Sequence, residues 1–264
     1  MSIRAEWRSI SGTWGAGLRA AMEYRASFLL QSIFMLANNL AYLSFWAIFF
    51  ARFNGLAGWT LRDQAITYGT VASGFGLAAI LAGGTHELGT RIAAGGLDSW
   101  LLRPRFALTQ AATFRMRLSG FGDLLTGPVL LVACGGLTLA RVAAFVFIAT
   151  LIGISFASFW TLCGSAAFFI GRSEDAAQQG TNALLTFALY PEQFFGPFTR
   201  VLLYAVIPAG LVGWLPAELL RAWDWGQAGL LVIGTAALAA VAIGAWTRGL
   251  RAYESGSLTQ AGLD

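Results

Sequence analysis

The fold is decided by residues 142–170, VAAFVFIATLIGISFASFWTLCGSAAFFI, a run that contains no charged side chain. A helix rises about 1.5 Å per residue, so about 20 apolar residues cross the hydrocarbon core of a bilayer. This run exceeds that length, and in water it would expose an apolar surface on every side. It therefore predicts a membrane-spanning helix.

Further apolar runs lie on both sides of it, at about 28–50, 64–84, 120–140 and 226–246. The run 64–84 is rich in Gly and Ala, and we expect it to be central to the bundle, because small residues let helix backbones approach closely in lipid. The 264-residue chain is 57% hydrophobic and only 11% charged, with a mean hydropathy of +0.65. Soluble domains carry roughly 25% charged residues, so this chain cannot cover a water-facing surface. We expect an all-α integral membrane protein of about six transmembrane helices, forming a single domain over residues 1–264.

The segment before the last span is interrupted by Pro191, Pro197, Pro208 and Pro216. Proline removes a backbone donor and breaks helices, and irregular backbone at membrane depth must be buried in protein or face water. Two layouts fit. In the first, the fifth span is roughly 176–195 and a proline-rich re-entrant segment follows at 198–216. In the second, 198–216 is itself the fifth span.

Residues 1–27 predict an amphipathic helix at the membrane interface rather than a span. Apolar side chains recur there at spacings of three and four and so form one stripe: Ile3, Trp7, Ile10, Trp14, Leu18 and Met22. Arg4, Arg8 and Arg19 lie beside the stripe, and a helix with Trp and Arg suits the interface. The alternative is an ordinary cytoplasmic helix packed on the protein.

The arginines set the orientation of the chain. The long connection 85–118 carries several of them: Arg91, Arg103, Arg105, Arg115 and Arg117. Cytoplasmic loops of membrane proteins are enriched in basic residues. We therefore expect this connection and both termini to be cytoplasmic, in a multi-pass protein of the cytoplasmic membrane. The mild net charge of +4 then reflects cytoplasmic loops, and we expect no nucleic-acid partner.

The chain offers no set of residues for catalysis. It contains no lysine, so a phosphate-binding loop of the form GxxxxGK[ST] cannot occur, and any ATP must be hydrolysed by a partner. His86 is the single histidine and is expected at a helix end, while Cys134 and Cys163 lack metal-ligand spacing. Asp123, near the start of the third span, is expected to reach the membrane interface. We predict that this chain is not an enzyme and binds no metal or cofactor.

Polar side chains on the first span form a second candidate site. Gln31, Asn38, Tyr42 and Trp46 fall on one helical face, and Asn39 lies next to it. In lipid such groups face the helix bundle or a cavity. They either make hydrogen bonds between helices or line a path for a transported substrate, for which Asn38, Asn39, Tyr42 and Trp46 are the candidates.

The cytoplasmic loop has a shape of its own. Gly95-Gly96 is expected to break a helix, and Asp98 to cap a new short turn. That turn would present Trp100, Leu101 and Leu102, and Pro104 would help to end it. A stiff apolar element at the cytoplasmic surface would suit a groove on a partner protein. Alternatively, it lies on lipid headgroups.

Three stretches of this chain resemble the ABC-2-type permeases. Gly95–Pro104 matches the pattern GxLDxxLLRP of a bacterial branch of that family. Tyr190-Pro191, Ile207-Pro208 and Leu215-Pro216 resemble its proline-punctuated segment, and Arg248–Gly256 resembles its C-terminal ending. The resemblance implies the membrane subunit of an ATP-driven exporter in the bacterial inner membrane.

The resemblance also implies partners and roles. Two permease subunits, identical or sister, would work with two ATPase subunits that bind ATP and Mg. The residues that would couple to the ATPase are Gly95, Gly96, Leu97, Asp98, Trp100, Leu101, Leu102, Arg103 and Pro104. Closure of the ATPases would shift the first, second and fifth spans. The alternative is a passive channel or a scaffold without an ATPase, and a lipid-modifying enzyme is disfavoured because acid–base residues are missing. The aromatic content fits an amphipathic or apolar cargo.

Overall fold

The computed structural model describes residues 3–52, 59–135, 137–170, 176–190 and 192–253, and nearly all of them are helical. Pro191, residues 172–175 and residues 254–264, which include the end of the C-terminal motif, lie outside the described residues. The helices are α1 Ile3–Glu23, α2 Arg25–Arg52, α3 Leu61–Leu81, α4 Leu88–Ala93, α5 Asp98–Leu101, α6 Ala107–Thr113, α7 Gly120–Gly135, α8 Leu139–Ser165, α9 Ala167–Ile170, α10 Ala176–Leu189, α11 Pro197–Ala205, α12 Leu215–Arg221 and α13 Trp225–Ala252.

Four stretches of the described chain are long and apolar enough to cross a bilayer: α2, α3, α8 continued through α9, and α13. A fifth is present if α11 and the bent helix Gly210–Arg221 are counted as one span, and α7 is a shorter apolar helix. The prediction of an all-α membrane protein is therefore confirmed. The number of six spans stays a prediction.

Small residues place α3 at the centre of the bundle. A Cβ at Gly69 would lie 3.0 Å from the Cα of Gly127 on α7, and a Cβ at Gly76 would lie 2.5 Å from the carbonyl oxygen of Gly120. Both helices therefore carry their glycines seven residues apart, which brings the two backbones together along two turns. Most of α3 is buried. This agrees with the expectation that a Gly- and Ala-rich span lies inside the bundle.

A proline inside α7 adds a specific contact to this pair. Pro128 has no N–H, so the carbonyl of Leu124 loses its usual partner within the helix. The hydroxyl of Ser73 on α3 donates to that carbonyl at 2.8 Å, and the backbone N–H of Gly127 donates to the same hydroxyl at 3.2 Å. Ser73 of α3 thus supplies the hydrogen bond to the Leu124 carbonyl that Pro128 cannot make within α7.

The proline-rich segment turns back within the bundle. Its two helical pieces are bent by 84°, and Phe195 and Tyr204 both pack on Trp214. The Trp214 indole N–H donates to the carbonyl of Tyr190 at 2.8 Å, and Arg221 lies 3.6 Å from Asp63 at the start of α3. The segment therefore ends beside the start of α3. A pair of helices bent this sharply is either one broken span or a re-entrant loop, so both predicted layouts stay open.

The N-terminal helix lies at the opposite end of α3. The Trp14 indole N–H donates to the carbonyl of Leu81 at 2.9 Å, while Trp7 on the same helix is exposed. Helix α1 ends at Glu23 and α2 begins at Arg25, so the first span starts slightly earlier than the expected Phe28. Helix α1 is thus partly packed on the protein through Trp14 and partly exposed through Trp7, which could contact the membrane interface.

Candidate coupling loop and substrate cavity

The connection between α3 and α7 folds into the short helices α4, α5 and α6. Gly95 has a φ of +69°, a conformation that only glycine adopts readily. The N–H of Gly96 returns to the carbonyl of Arg91 at 2.8 Å, which closes the end of α4. The prediction that Gly95-Gly96 breaks a helix is confirmed.

The predicted cap at Asp98 is wrong. Leu97 already has helical backbone angles (φ −72°, ψ −28°), so the new turn starts before Asp98 and no side chain caps it. A capping residue needs extended backbone instead. The Asp98 carboxylate accepts a hydrogen bond from the hydroxyl of Tyr253 at 3.1 Å. Asp98 therefore ties the loop to the end of α13.

Trp100 is not presented at the surface, contrary to expectation. It is 5% exposed and packs on Phe114, with the ring centroids 5.4 Å apart. The reason is spacing: Leu97 and Trp100 stand three residues apart on a one-turn helix, so both point inward. Leu101 and Leu102 point outward and are 46% and 87% exposed.

The exposed strip continues through residues 101–106, all of which are exposed. It includes Arg103, Pro104 and Arg105 and ends at Phe106, which is 66% exposed. The strip therefore combines apolar and cationic side chains on one short surface.

Beneath this strip lies a small hydrophobic core, here called the loop core. Its buried members come from α4, α5, α6, α9 and α13 and from the turn just before α5: Leu88, Ile92, Leu97, Trp100, Ala111, Ala167 and Trp246. The Arg91 guanidinium covers its edge, 3.9 Å from the ring centroid of Phe114 and 5.5 Å from that of Trp100. The loop is therefore fastened to the ends of α8–α9 and α13.

His86 lies in a short 3-10 turn, Gly83–Glu87, that joins α3 to α4. Its ring packs edge-on against Trp160, with centroids 5.1 Å apart. Burial, and to a smaller extent the positive charge of Arg117, lower the pKa of His86 to about 4. The imidazole is therefore neutral at pH 7 and packs as a helix-end residue.

A polar cluster links α2, α3 and α7 inside the bundle. The side-chain N–H groups of Asn39 donate to Asp123 and to Thr126, both at 2.9 Å. The hydroxyl of Tyr68 donates to the Asn39 carbonyl oxygen, also at 2.9 Å. Asn39 thus makes hydrogen bonds between helices, which is one of the two roles expected for the polar residues of the first span.

Asp123 does not reach the interface as predicted. It is 2% exposed and lies beneath α2. The reason is its neighbour Gly122, where an added Cβ would collide with the backbone of Ser32. Without a side chain at that position, α2 packs directly on α7 and covers the carboxyl group.

The cluster forms one wall of a cavity of about 390 Å³ between α2, α3 and α10. It is lined by Met35, Asn38, Asn39, Tyr42, Tyr68, Val71, Ala72, Phe75, Asp123, Leu185, Thr186, Leu189 and Tyr190. Of the predicted path residues, Asn38, Asn39 and Tyr42 line the cavity. Trp46 is buried beside it against Tyr190, with ring centroids 5.7 Å apart, and Gln31 bonds to Ser27 instead.

Sequence reasoning assigned Tyr68 and Asp123 no place in this site. A carboxyl group at the start of an apolar run was a usable signal for Asp123. Nothing in the sequence distinguished Tyr68 from other aromatic residues in the spans. Within the described ranges, no three His, Cys, Asp or Glu side chains form a group that could hold a metal ion.

Comparison with known proteins then supplies the family. The family model described as ABC-2 family transporter protein matches residues 36–257, which include the loop between α3 and α7 and every residue that lines the cavity except Met35. No curated protein and no solved structure gave a match. Because the model covers most of the chain, the chain belongs to the ABC-2 transporter family and is a membrane permease of an ABC transporter.

Proposed function

We propose that this permease is the membrane subunit of an ATP-driven exporter and that a separate ATPase subunit docks on the exposed strip 101–106. The complete transporter would hold two ATPase subunits, which bind ATP and Mg, and a second permease, identical or sister. The observation that carries the proposal is the exposure of Leu101 and Leu102 beside the buried residues of the loop core.

The strip has the composition of a small docking surface. A few apolar anchors dominate most protein interfaces, and charged groups surround them at the rim. Leu101 and Leu102 would be the anchors, with Arg103 and Arg105 at the rim. Trp100 would act from beneath as a positioning residue, because its indole is already buried in the permease itself.

Movement of the strip would reach the spans through the loop core. That core joins α3 through the turn Gly83–Glu87, α8 through α9, and α13 through Trp246 and Tyr253. These contacts favour α3, α8 and α13 as the helices that move when the strip moves. The sequence had favoured the first, second and fifth spans, of which only the second, α3, is in this set. The cavity beside α3 would then form part of the path between the two permease halves.

The proposal is tested by purifying the permease from its native membranes and identifying any ABC ATPase subunit that copurifies. Leu101→Asp would place a charge in a desolvated contact, at a cost on the order of several kcal/mol. We expect normal membrane insertion but loss of copurification and of stimulated ATPase activity. Leu137→Asp is the matched control, because Leu137 is also an exposed leucine, 62% exposed, at the other end of the bundle.

Two results would count against the proposal. If Leu101→Asp retains the complex and its transport, the strip is not the docking surface. If the wild-type permease binds no ABC ATPase at all, the alternative of a passive channel or scaffold replaces the exporter.

A further inference from the structure

We infer that the cavity between α2, α3 and α10 binds a lipophilic organic cation, with the Asp123 carboxylate as its counter-charge. This inference deepens the proposed function and rests on it for what happens after binding. Three features of the cavity carry the inference: its size, its walls and its one acidic group.

The size and walls suit an organic molecule. Small-molecule sites measure roughly 300–1,000 Å³, and this cavity has about 390 Å³, which is far more than a bare metal ion needs. Four of its lining residues are aromatic, and Tyr42 and Tyr68 are stacked with ring centroids 5.0 Å apart. Aromatic faces attract cations through their electron-rich surfaces. The remaining wall is mostly aliphatic.

The charge of the cavity also favours a cationic ligand. Asp123 is the one ionisable acid among its lining residues, and no arginine or histidine lines it. A carboxylate at membrane depth is unfavourable unless it is paired, and such groups typically serve ion or substrate pathways. A cavity with these walls would repel an anion and would attract an apolar molecule that carries a positive charge.

The hydrogen bonds leave one oxygen of the Asp123 carboxyl group without a partner among the described residues. Asn39 donates to Oδ1 of Asp123 at 2.9 Å, whereas Oδ2 is buried and makes no hydrogen bond with any described residue. The Asn39 amide cannot supply another donor, because its second N–H is bonded to Thr126 and its oxygen accepts from Tyr68. The cluster therefore fixes the carboxyl group without satisfying it. A cationic group of the ligand would complete the site.

Binding of two matched probes tests this inference. Tetraphenylphosphonium and tetraphenylborate have nearly the same size and shape and opposite charge. Equilibrium dialysis of each against the purified permease in neutral-lipid nanodiscs, with empty nanodiscs as background, needs neither ATP nor an ATPase. We expect saturable binding of tetraphenylphosphonium and none of tetraphenylborate.

Two variants locate the site. Asp123→Asn keeps the shape and the acceptor for Asn39 but removes the charge, and it should weaken tetraphenylphosphonium binding on the order of tenfold or more. Ser155→Ala, which removes a buried hydroxyl contact with Thr235, should leave binding unchanged. If Asp123→Asn fails to fold, Thr186→Arg serves instead. Thr186 is an exposed wall residue, and the added cation should abolish tetraphenylphosphonium binding.

The outcomes separate this inference from the proposed function. Equal binding of both probes, or unchanged tetraphenylphosphonium affinity in the folded charge variants, would overturn the inference even if the ATPase copurifies. Selective, Asp123-dependent binding would support it even if no ATPase is found.

Discussion

Replacing Trp100 with alanine should destabilise the permease itself, before any ATPase is involved. The indole is 5% exposed, packs on Phe114 and lies beneath the edge of the Arg91 guanidinium, which also covers Phe114. Removing a buried aromatic side chain and leaving a cavity costs roughly 3–5 kcal/mol. The packing that is lost lies in the loop core, where Trp100 and Trp246 are the largest buried side chains.

The assay is unfolding of the purified permease in detergent, compared with Leu102→Ala. Leu102 is 87% exposed, so its truncation should change stability by no more than about 0.5 kcal/mol while weakening ATPase copurification. Burial of Trp100 within the permease is contradicted if Trp100→Ala has wild-type stability but no longer copurifies with the ATPase. That result would mean that the indole faces the partner.

Three further predictions follow from packing and charge. Gly74→Ala should destabilise the bundle by about 1–3 kcal/mol, because the added Cβ would collide with a side chain of α8, whereas Gly229→Ala has open space and should melt like the wild type. Asn39→Leu should destabilise the fold, because it strips a buried hydroxyl and a buried carboxyl of their hydrogen bonds, while Asn38→Leu should leave thermal stability intact and alter only transport. Lowering the pH from 7 to 4 should destabilise the wild type. Burial lowers the pKa of His86 to about 4 from its ordinary 6.5, so the unfolded chain binds the extra proton first, and stability is lost as the pH falls through this window. His86→Gln should reduce that slope in melts at several pH values.

The sequence predicts the helices well, because the bilayer sets their length and composition. The apolar run 142–170 lies almost entirely within α8 and α9. The small residues of α3 also predicted its central place, since close backbone approach in lipid requires them. Both predictions rest on local pattern alone.

The orientation of the short turn at Asp98 could not be predicted in the same way. A one-turn helix has no periodic pattern that would show which side is buried. Its direction depends on the loop core and on Tyr253, 155 residues away in sequence. The pattern Gly95–Pro104 therefore did not reveal that Trp100 is buried, and its side chain was wrongly expected at the surface.

The depth of Asp123 depended on distant residues as well. Its partner Asn39 lies 84 residues earlier, and the carboxyl group is covered because Gly122 admits α2. A single-sequence pattern gives the position along the helix but not which neighbour lies over it. The polar face of the first span was predicted, whereas the acidic group that completes the cavity was not.

Docking of an ATPase on the strip 101–106 can be observed by crosslinking from residue 102 in intact membranes. A photoreactive residue in place of Leu102 should form an adduct with a soluble subunit that carries a phosphate-binding loop, identified by its peptides. The same residue at position 137 should form none. Adducts from position 102 with lipid alone, in membranes that contain the ATPase, would contradict the claim.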